Sequence, residues 1–439
     1  MNAALALPIP QSLIDLHQFD VSAPATVASN FATWDIVCSP LGDTYALCRL
    51  KRYLHDAGPE STPSTSSFGY LLITRFTPEG AVSATAVSSL EHPGGALPTA
   101  PNGLAQTLCI LPDGTLTTNA LPDRTALISP DLAEILATYT EPARRSFEEF
   151  VPGNPFACSI DVIPSGRLLC VTAEFGTNGY GASLPNIVGI ADGLLTPDGK
   201  PTIRAIASLD PEPAHQSTDD LRPHVQFDGK SVGLANRPRP ALTELLTPPS
   251  GHRYLDWGRA GLGRPAILAD DLFVVPVFER TARGATRGRS FEFVLLDDQG
   301  AMRGKLAGLD RWRHSPYPGH HFAVVADPYR GHAFHLNTFG LFAWTRDGEL
   351  RITLDTTTKS FKPLTNFTLK SCSPAGELLF VHNKQHLVLR VPAPEDLDDL
   401  GNAVENALRA FAKERTALKK QWGPVNWHWV DPNTPVHHL

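Results

Sequence analysis

A surplus of positive charge, paired cysteines and long apolar runs are all missing from this sequence, and each absence removes a class of function. Lys and Arg number 38 against 45 Asp and Glu, a formal net charge of -7. A general nucleic-acid binder neutralises phosphates with a cationic excess, so the chain as a whole is not one. The imbalance is uneven, with 14 basic and 25 acidic residues up to position 250 and 24 and 20 beyond it. The six cysteines, Cys38, Cys48, Cys109, Cys158, Cys170 and Cys372, lie in or beside apolar runs without metal-site spacing. They are expected as buried free thiols, not as the disulfide framework of a small secreted chain. Nowhere do roughly 18 apolar residues run together. The first twenty residues lack a basic segment ahead of their short apolar stretch, so neither export nor membrane spanning is indicated and a cytoplasmic location is expected.

Apolar material is ample, at 42% hydrophobic residues, and 39 prolines and 34 glycines are scattered over the whole length. Scattered punctuation of this kind suits many short strands joined by tight turns. One turn recurs: Ser39-Pro40-Leu41-Gly42, Thr77-Pro78-Glu79-Gly80, Leu111-Pro112-Asp113-Gly114, Ile163-Pro164-Ser165-Gly166, Thr196-Pro197-Asp198-Gly199 and Ser373-Pro374-Ala375-Gly376. Proline presets φ early in the turn and glycine supplies the positive φ of a tight reversal, so each reads as a hairpin. Asp297-Asp298-Gln299-Gly300, Arg346-Asp347-Gly348 and Asp327 to Gly331 are variants.

The flanking apolar runs sort these turns into two alternating classes, one joining the first and second strands of a unit and the other joining the third and fourth. Turns of the first class fall near residues 40, 108, 164, 228, 270, 328 and 374, a repeat of about 55 residues, longer than the ~40–50 of common propeller repeats and so lengthened by loops. A sheet of such short strands cannot bury both faces alone, so successive sheets must stack around an axis. The expected fold is all-β: one β-propeller over residues 13–393 of about seven four-stranded blades, six being the other count. The last blade is one strand short, and Leu13 to Val21 or a nearby N-terminal segment is expected to complete it, removing an exposed edge.

On these turns and strands the chain resembles the β-propeller repeat class, nearer to degenerate NHL-type and gluconolactonase-like blades than to WD-repeat proteins. Gly-His pairs begin at Gly251, Gly319 and Gly331 and Trp34-Asp35 occurs once, without the spacing of a WD repeat. The resemblance speaks for architecture, and no residue role is carried over with it.

From about Pro394 the pattern turns helical. Leu397, Leu400, Val404, Leu408, Phe411 and Leu418 recur at helical spacing, with acidic residues at the start and Lys419 and Lys420 near the end, an order that complements the helix dipole. Gly423-Pro424 stops it, and Trp422, Trp427 and Trp429 cluster around the stop. Residues 394–439 therefore form a helix and Trp-rich tail, which either folds back on its own propeller or docks on a partner through Trp anchors.

Other candidate sites are few. The glycine-rich stretch after Glu174 could hold a ligand through Glu174, Asn178 and Tyr180, although a flexible interblade loop is the favoured reading of it. Arg280, Arg283, Arg287 and Arg289 crowd a hairpin tip, the best place for an acidic partner or, locally, a nucleic-acid backbone. His332 and His335 are three apart on a strand and should face opposite ways, and His382 and His386 flank a turn. Gly229-Lys230-Ser231-Val232-Gly233 matches a nucleophile elbow in letters only, since a hairpin is expected there in place of strand, turn and helix. No catalytic residue and no resident metal or cofactor is assigned. The leading expectation is a non-catalytic scaffold or recognition subunit that binds protein partners in a larger assembly. The alternative, implied by the gluconolactonase-like resemblance, is a metal-dependent lactonase or related hydrolase holding a calcium-type ion on oxygen ligands, for which Glu174, Asn186, Asp192, Asn337 and Asp355 are the available types.

Overall fold

The computed structural model describes residues 2–12, 31–53, 67–89, 108–118, 124–140, 159–174, 184–191, 203–208, 224–227, 230–233, 253–254, 260–279, 291–309, 323–422, 429–431 and 434–439. They divide into two compact units. One holds residues 1–99, 106–140 and 354–439, and the other residues 100–105 and 141–353.

The strands run in chain order. Two short ones open the chain, β1 (Ala4–Ala6) and β2 (Pro8–Pro10). The first blade is β3 (Phe31–Cys38), β4 (Thr44–Tyr53), β5 (Ser67–Phe76) and β6 (Val82–Ser89), and the second is β7 (Leu108–Ile110), β8 (Leu116–Thr118), β9 (Arg124–Ile128) and β10 (Ile135–Thr140). The third is β11 (Ser159–Val162), β12 (Leu168–Glu174), β13 (Leu184–Ala191) and β14 (Ile203–Ser208). A separate three-stranded sheet follows, β15 (His224–Phe227), β16 (Lys230–Gly233) and β17 (Arg253–Tyr254). The fourth blade is β18 (Ala260–Leu262) and β19 (Ala266–Ala269), both paired to β20 (Leu272–Glu279), then β21 (Phe291–Asp297) and β22 (Met302–Lys305). The fifth is β23 (Val325–Asp327), β24 (His332–Leu336), β25 (Gly340–Trp344) and β26 (Leu350–Asp355). The sixth is β27 (Phe367–Cys372), β28 (Glu377–His382) and β29 (Leu387–Pro392), followed by helix α1 (Leu400–Trp422), β30 (Trp429–Asp431) and β31 (Val436–His438).

The fold is a β-propeller of six four-stranded blades, the smaller of the two counts expected. Side chains of the third and fourth blades show why the sheet near residue 228 is not a seventh. Arg264, just before β19, grips Asp161 of β11 at 2.7 and 2.9 Å. The turn after β11 sits on the turn after β19, through Ser165 N–H to Asp270 Oδ1 at 2.9 Å and Arg167 to the Asp270 carbonyl at 2.7 Å. Third and fourth blades are thus direct neighbours, and β15–β17 belong to an insertion between them in sequence.

The recurring turn behaves as its chemistry requires. Glycine N–H groups donate to the carbonyls of Ser39, Thr77, Leu111, Ile163, Asp297, Thr345 and Ser373 at 2.8–3.0 Å, and the glycines of these turns and of the Asp327 turn have φ between 69° and 93°. This is the left-handed residue that closes a type I hairpin turn. Turns of the first class join β3 to β4, β7 to β8, β11 to β12, β19 to β20, β23 to β24 and β27 to β28, while Thr77, Asp297 and Thr345 head turns of the second class. The turn from β9 to β10 breaks the rule: Leu132 holds φ 67° where the others have glycine. Its side chain is fully buried among Leu116, Ala126 and Ile128, and that burial offsets the ~1–2 kcal/mol cost of a left-handed backbone.

Both faces of the first blade are apolar. Ala46, Cys48, Leu72 and Val87 pack with Leu5, Leu7, Ile9, Leu379 and Val388, whereas Tyr45, Leu47, Leu71, Ile73 and Ala86 pack with Leu108 and Leu116 of the second blade. Alternation along each strand delivers one set to each side, so the blade is buried only when it has a neighbour on both. The first strands of neighbours are also tied by polar groups. Asp35 Oδ2 accepts from Leu108 N–H at 2.9 Å, and Lys370 Nζ donates to the Trp34 carbonyl at 3.0 Å. Trp34-Asp35, which has no partner at WD-repeat spacing, is a joint between blades.

An N-terminal segment does complete the last blade, but it is β1, antiparallel to β29 in the register Ala4 to Leu389, Leu5 to Val388 and Ala6 to Leu387. Residues 13–21, named for this role, lie outside the described residues. Cys38, Cys48, Cys109 and Cys372 are free thiols. Burial pushes Cys48 up to about 12 and Cys38 up to about 11, so neither is a reactive thiolate.

Candidate functional site

The described surface feature that is most clearly built is the C-terminal helix with the arm that follows it. A short turn, Leu397–Asp399, opens it, and the Asp396 carboxylate caps this turn by accepting from Asp398 N–H at 3.0 Å. Leu400, Val404, Ala407, Leu408 and Phe411 form the buried stripe, and Phe411 meets Phe367 edge to face with ring centroids 5.3 Å apart. The helix lies on β29 and β1, and Glu414 accepts from Ala4 N–H at 2.7 Å. It therefore clamps the strand that closes the last blade.

Its opposite face carries charge. Glu395, Asp396, Asp398 and Asp399 are exposed at the start, and Arg409, Lys413, Lys419 and Lys420 are exposed towards the end. Arg409 is paired with Glu405 at 2.7 Å, one turn earlier. The helix thus presents a basic ridge on a chain of net negative charge, with each sign at the end favoured by the macrodipole.

Beyond the helix the chain returns to the propeller twice. β30 pairs in parallel with β2, Trp429 to Pro8 and Val430 to Ile9. β31 pairs in parallel with β6, Val436 to Thr85, His437 to Ala86 and His438 to Val87. Of the two dispositions expected for the tail, folding back on its own propeller is the one adopted by these strands. No sequence signal foretells three-residue strands whose partners lie hundreds of positions away.

Most residues singled out from sequence fall elsewhere. Arg280, Arg283, Arg287, Arg289, Asn178, Tyr180, Trp427 and Asp192 lie outside the described residues. Glu174 ends β12, Asn186 lies in β13, Trp422 ends α1 and Trp429 begins β30, with only their backbones described. Two carboxylate or amide groups considered for an ion cap local turns. Asn337 Oδ1 accepts from the N–H groups of Phe339 and Gly340 at 2.8 and 3.1 Å, and Asp355 Oδ1 accepts from Thr357 N–H at 2.7 Å; the Thr357 side chain and then this N–H hold its carboxyl below the usual range. Among the described residues no group of three His, Cys, Asp or Glu side chains is placed to hold a metal ion. Ser231 sits within β16, paired to Gln226 across a hairpin, which is not the strand, turn and helix of a nucleophile elbow.

The histidines serve packing. His335 is fully buried, its Nδ1 is 2.8 Å from the Ala323 carbonyl, and its ring lies edge-on to Phe293. His382 Nδ1 accepts from Lys384 N–H at 3.1 Å, so it closes the hairpin turn. Burial, then the charges of Arg415 and Lys384, lower its pKa to about 4 from 6.5. The folded state keeps His382 neutral, and its contribution is complete above the unfolded value and lost as pH falls from about 6.5 towards 4. Thermal unfolding midpoints measured from pH 7 to 4 should fall less steeply for His382→Gln than for the native chain.

No helix among the described residues is long and apolar enough to cross a membrane. No protein-family model and no curated protein matches the chain. Solved structures do. A gluconolactonase, XC5397 from Xanthomonas campestris, is 12% identical over 82% of this chain and 97% of its own, with a TM-score of 0.34. The C-terminal WD40 domain of Sif2 is 10% identical over 83% and 98%, at 0.35. BamB from Moraxella catarrhalis is 10% identical over 82% and 97%, at 0.31. An enzyme stands beside a WD40 domain among them, and no residue role passes from either to this chain.

Proposed function

We propose that the chain is a non-catalytic propeller subunit that binds protein partners within a larger assembly, with the outward face of α1 as part of the surface it offers. The observation that carries this reading is the division of labour on the helix. One stripe is used up on β29 and β1, the opposite one sets Arg409, Lys413 and Lys420 in solvent, and Lys419 is exposed beside it in the last turns. Such a ridge suits an acidic protein surface and would speed and orient the encounter. The non-catalytic part is supported by the polar groups themselves, because Asp35, Asp161, Asn337 and Asp355 each serve a joint or a turn.

Deleting the whole extension would strip β1 of its cover, so the test leaves the backbone in place. The triple variant Lys413→Glu, Lys419→Glu, Lys420→Glu changes exposed positions that should each shift stability by no more than about 0.5 kcal/mol. Quantitative affinity capture at low salt should lose partners that the native chain retains, with a melting temperature lowered by no more than a few degrees. Identical partner sets from the two proteins would overturn the proposal.

A further inference from the structure

Where the second half of α1 lies near the turn between β28 and β29, basic side chains from both gather around one histidine. His382 ends β28 and is 8% exposed. Its ring meets Phe367 of β27 edge to face at 5.0 Å, and Phe367 meets Phe411 of α1 in the same way at 5.3 Å. Arg415 stands one turn beyond Phe411 on the helix, and Lys384 is exposed in the turn, two residues after His382. After burial, the charges that oppose protonation of His382 are those of Arg415 and then Lys384.

The acids of the helix are engaged elsewhere. Glu414 accepts from Ala4 N–H and Glu405 is paired with Arg409, while Glu395, Asp396, Asp398 and Asp399 precede the helix at its other end. Arg415 Nε is buried and has no hydrogen-bond partner among the described residues. A buried donor of a charged group is costly to leave unsatisfied, so it points to an acceptor brought from outside. His382 adds a further donor. Its Nδ1 accepts from Lys384 N–H at 3.1 Å, so the neutral ring carries its proton on Nε2.

We infer that Arg415, Lys384 and His382 bind a small tetrahedral oxyanion, inorganic phosphate being the simplest, at the joint between α1 and the β28–β29 turn. The guanidinium and the ammonium supply charge, and the ring N–H supplies a third donor. That set suits an ion with several acceptor oxygens better than a halide. A bound ion would tie the helix to the last blade. The site goes beyond the partner-binding reading and does not depend on it.

Isothermal titration calorimetry of the full chain with inorganic phosphate, at an ionic strength held constant with chloride, should show saturable binding. Arg415→Met should weaken it at least about 10-fold, the loss of one charged hydrogen bond. Lys384→Met changes an exposed position with little effect on the fold, and it should weaken binding as well. The ring signals of His382 in nuclear magnetic resonance place the ion. Saturating phosphate should raise the His382 titration midpoint by about one pH unit or more, because a neighbouring anion favours the imidazolium. No saturable binding, binding unchanged in both variants, or a His382 midpoint that bound phosphate does not move would overturn the inference. The lysine variant of α1 leaves these three side chains in place, so partner capture and phosphate binding can each fail without the other.

Discussion

Arg390→Met should destabilise the protein by about 3–5 kcal/mol, the usual loss when one member of a buried ion pair is removed. Arg390 lies in β29 and Glu377 in β28, with side chains 4% and 8% exposed and Nη2 to Oε2 at 2.7 Å. The other guanidinium nitrogen, Nη1, donates to the Pro78 carbonyl at 3.1 Å, in the turn between β5 and β6. One side chain thus satisfies a carboxylate in the last blade and a carbonyl in the first. Methionine fills the space but leaves both acceptors in a site closed to water. Arg390→Lys should recover only part of the loss, because a single ammonium on a flexible stem does not reproduce a planar fork. The double variant Arg390→Met, Glu377→Leu should be milder than Arg390→Met alone. Urea denaturation of the set checks this, and a double variant as unstable as the sum of its singles would show that the pair does not act as a pair.

Gly300→Ala should cost about 2–5 kcal/mol, combining ~1–2 for a left-handed alanine with ~1–3 for overpacking. Gly300 closes the turn between β21 and β22 at φ +83°, and a methyl group there would stand 1.9 Å from the backbone carbonyl oxygen of Ile206 in β14. A backbone oxygen cannot swing aside as a side chain can, so the fourth blade would have to part from the third. Gly166 offers the control. It occupies the same place in its own turn at φ +92°, with nothing within 4 Å of an added methyl, so Gly166→Ala should show the backbone cost alone. The difference between the two melting temperatures measures the contact between blades, and equal losses would mean that no such contact is made.

The parts of this fold that are legible in the sequence are those with a local cause. A Pro-x-Gly turn announces itself because φ preferences act within four residues, although sorting the turns gives a leading count of about seven blades where the fold has six. What escapes is determined at a distance. The hairpin at Phe227 and Lys230 has the local form of a blade's first turn, and the grip of Arg264 on Asp161, with the contacts of Ser165 and Arg167 to Asp270, shows that it lies off the succession. Leu132 stands where the pattern asks for glycine, because the second blade's core pays it back in burial. In β1 and β2 the alternation of Leu5, Leu7 and Ile9 is a strand signal masked by Pro8 and Pro10, which suit edges and interrupt ladders. The helical spacing of α1 is equally local and holds from Leu400 to Phe411, but nothing near Val436 states that its partner strand is β6.

The N-terminal strand is an integral part of the last blade, covered by the helix. Hydrogen exchange of the native chain tests this directly. The backbone amides of residues 4–7 should exchange as slowly as those of residues 387–391, through the same cooperative opening. Fast exchange at residues 4–7 beside full protection at 387–391 would contradict it.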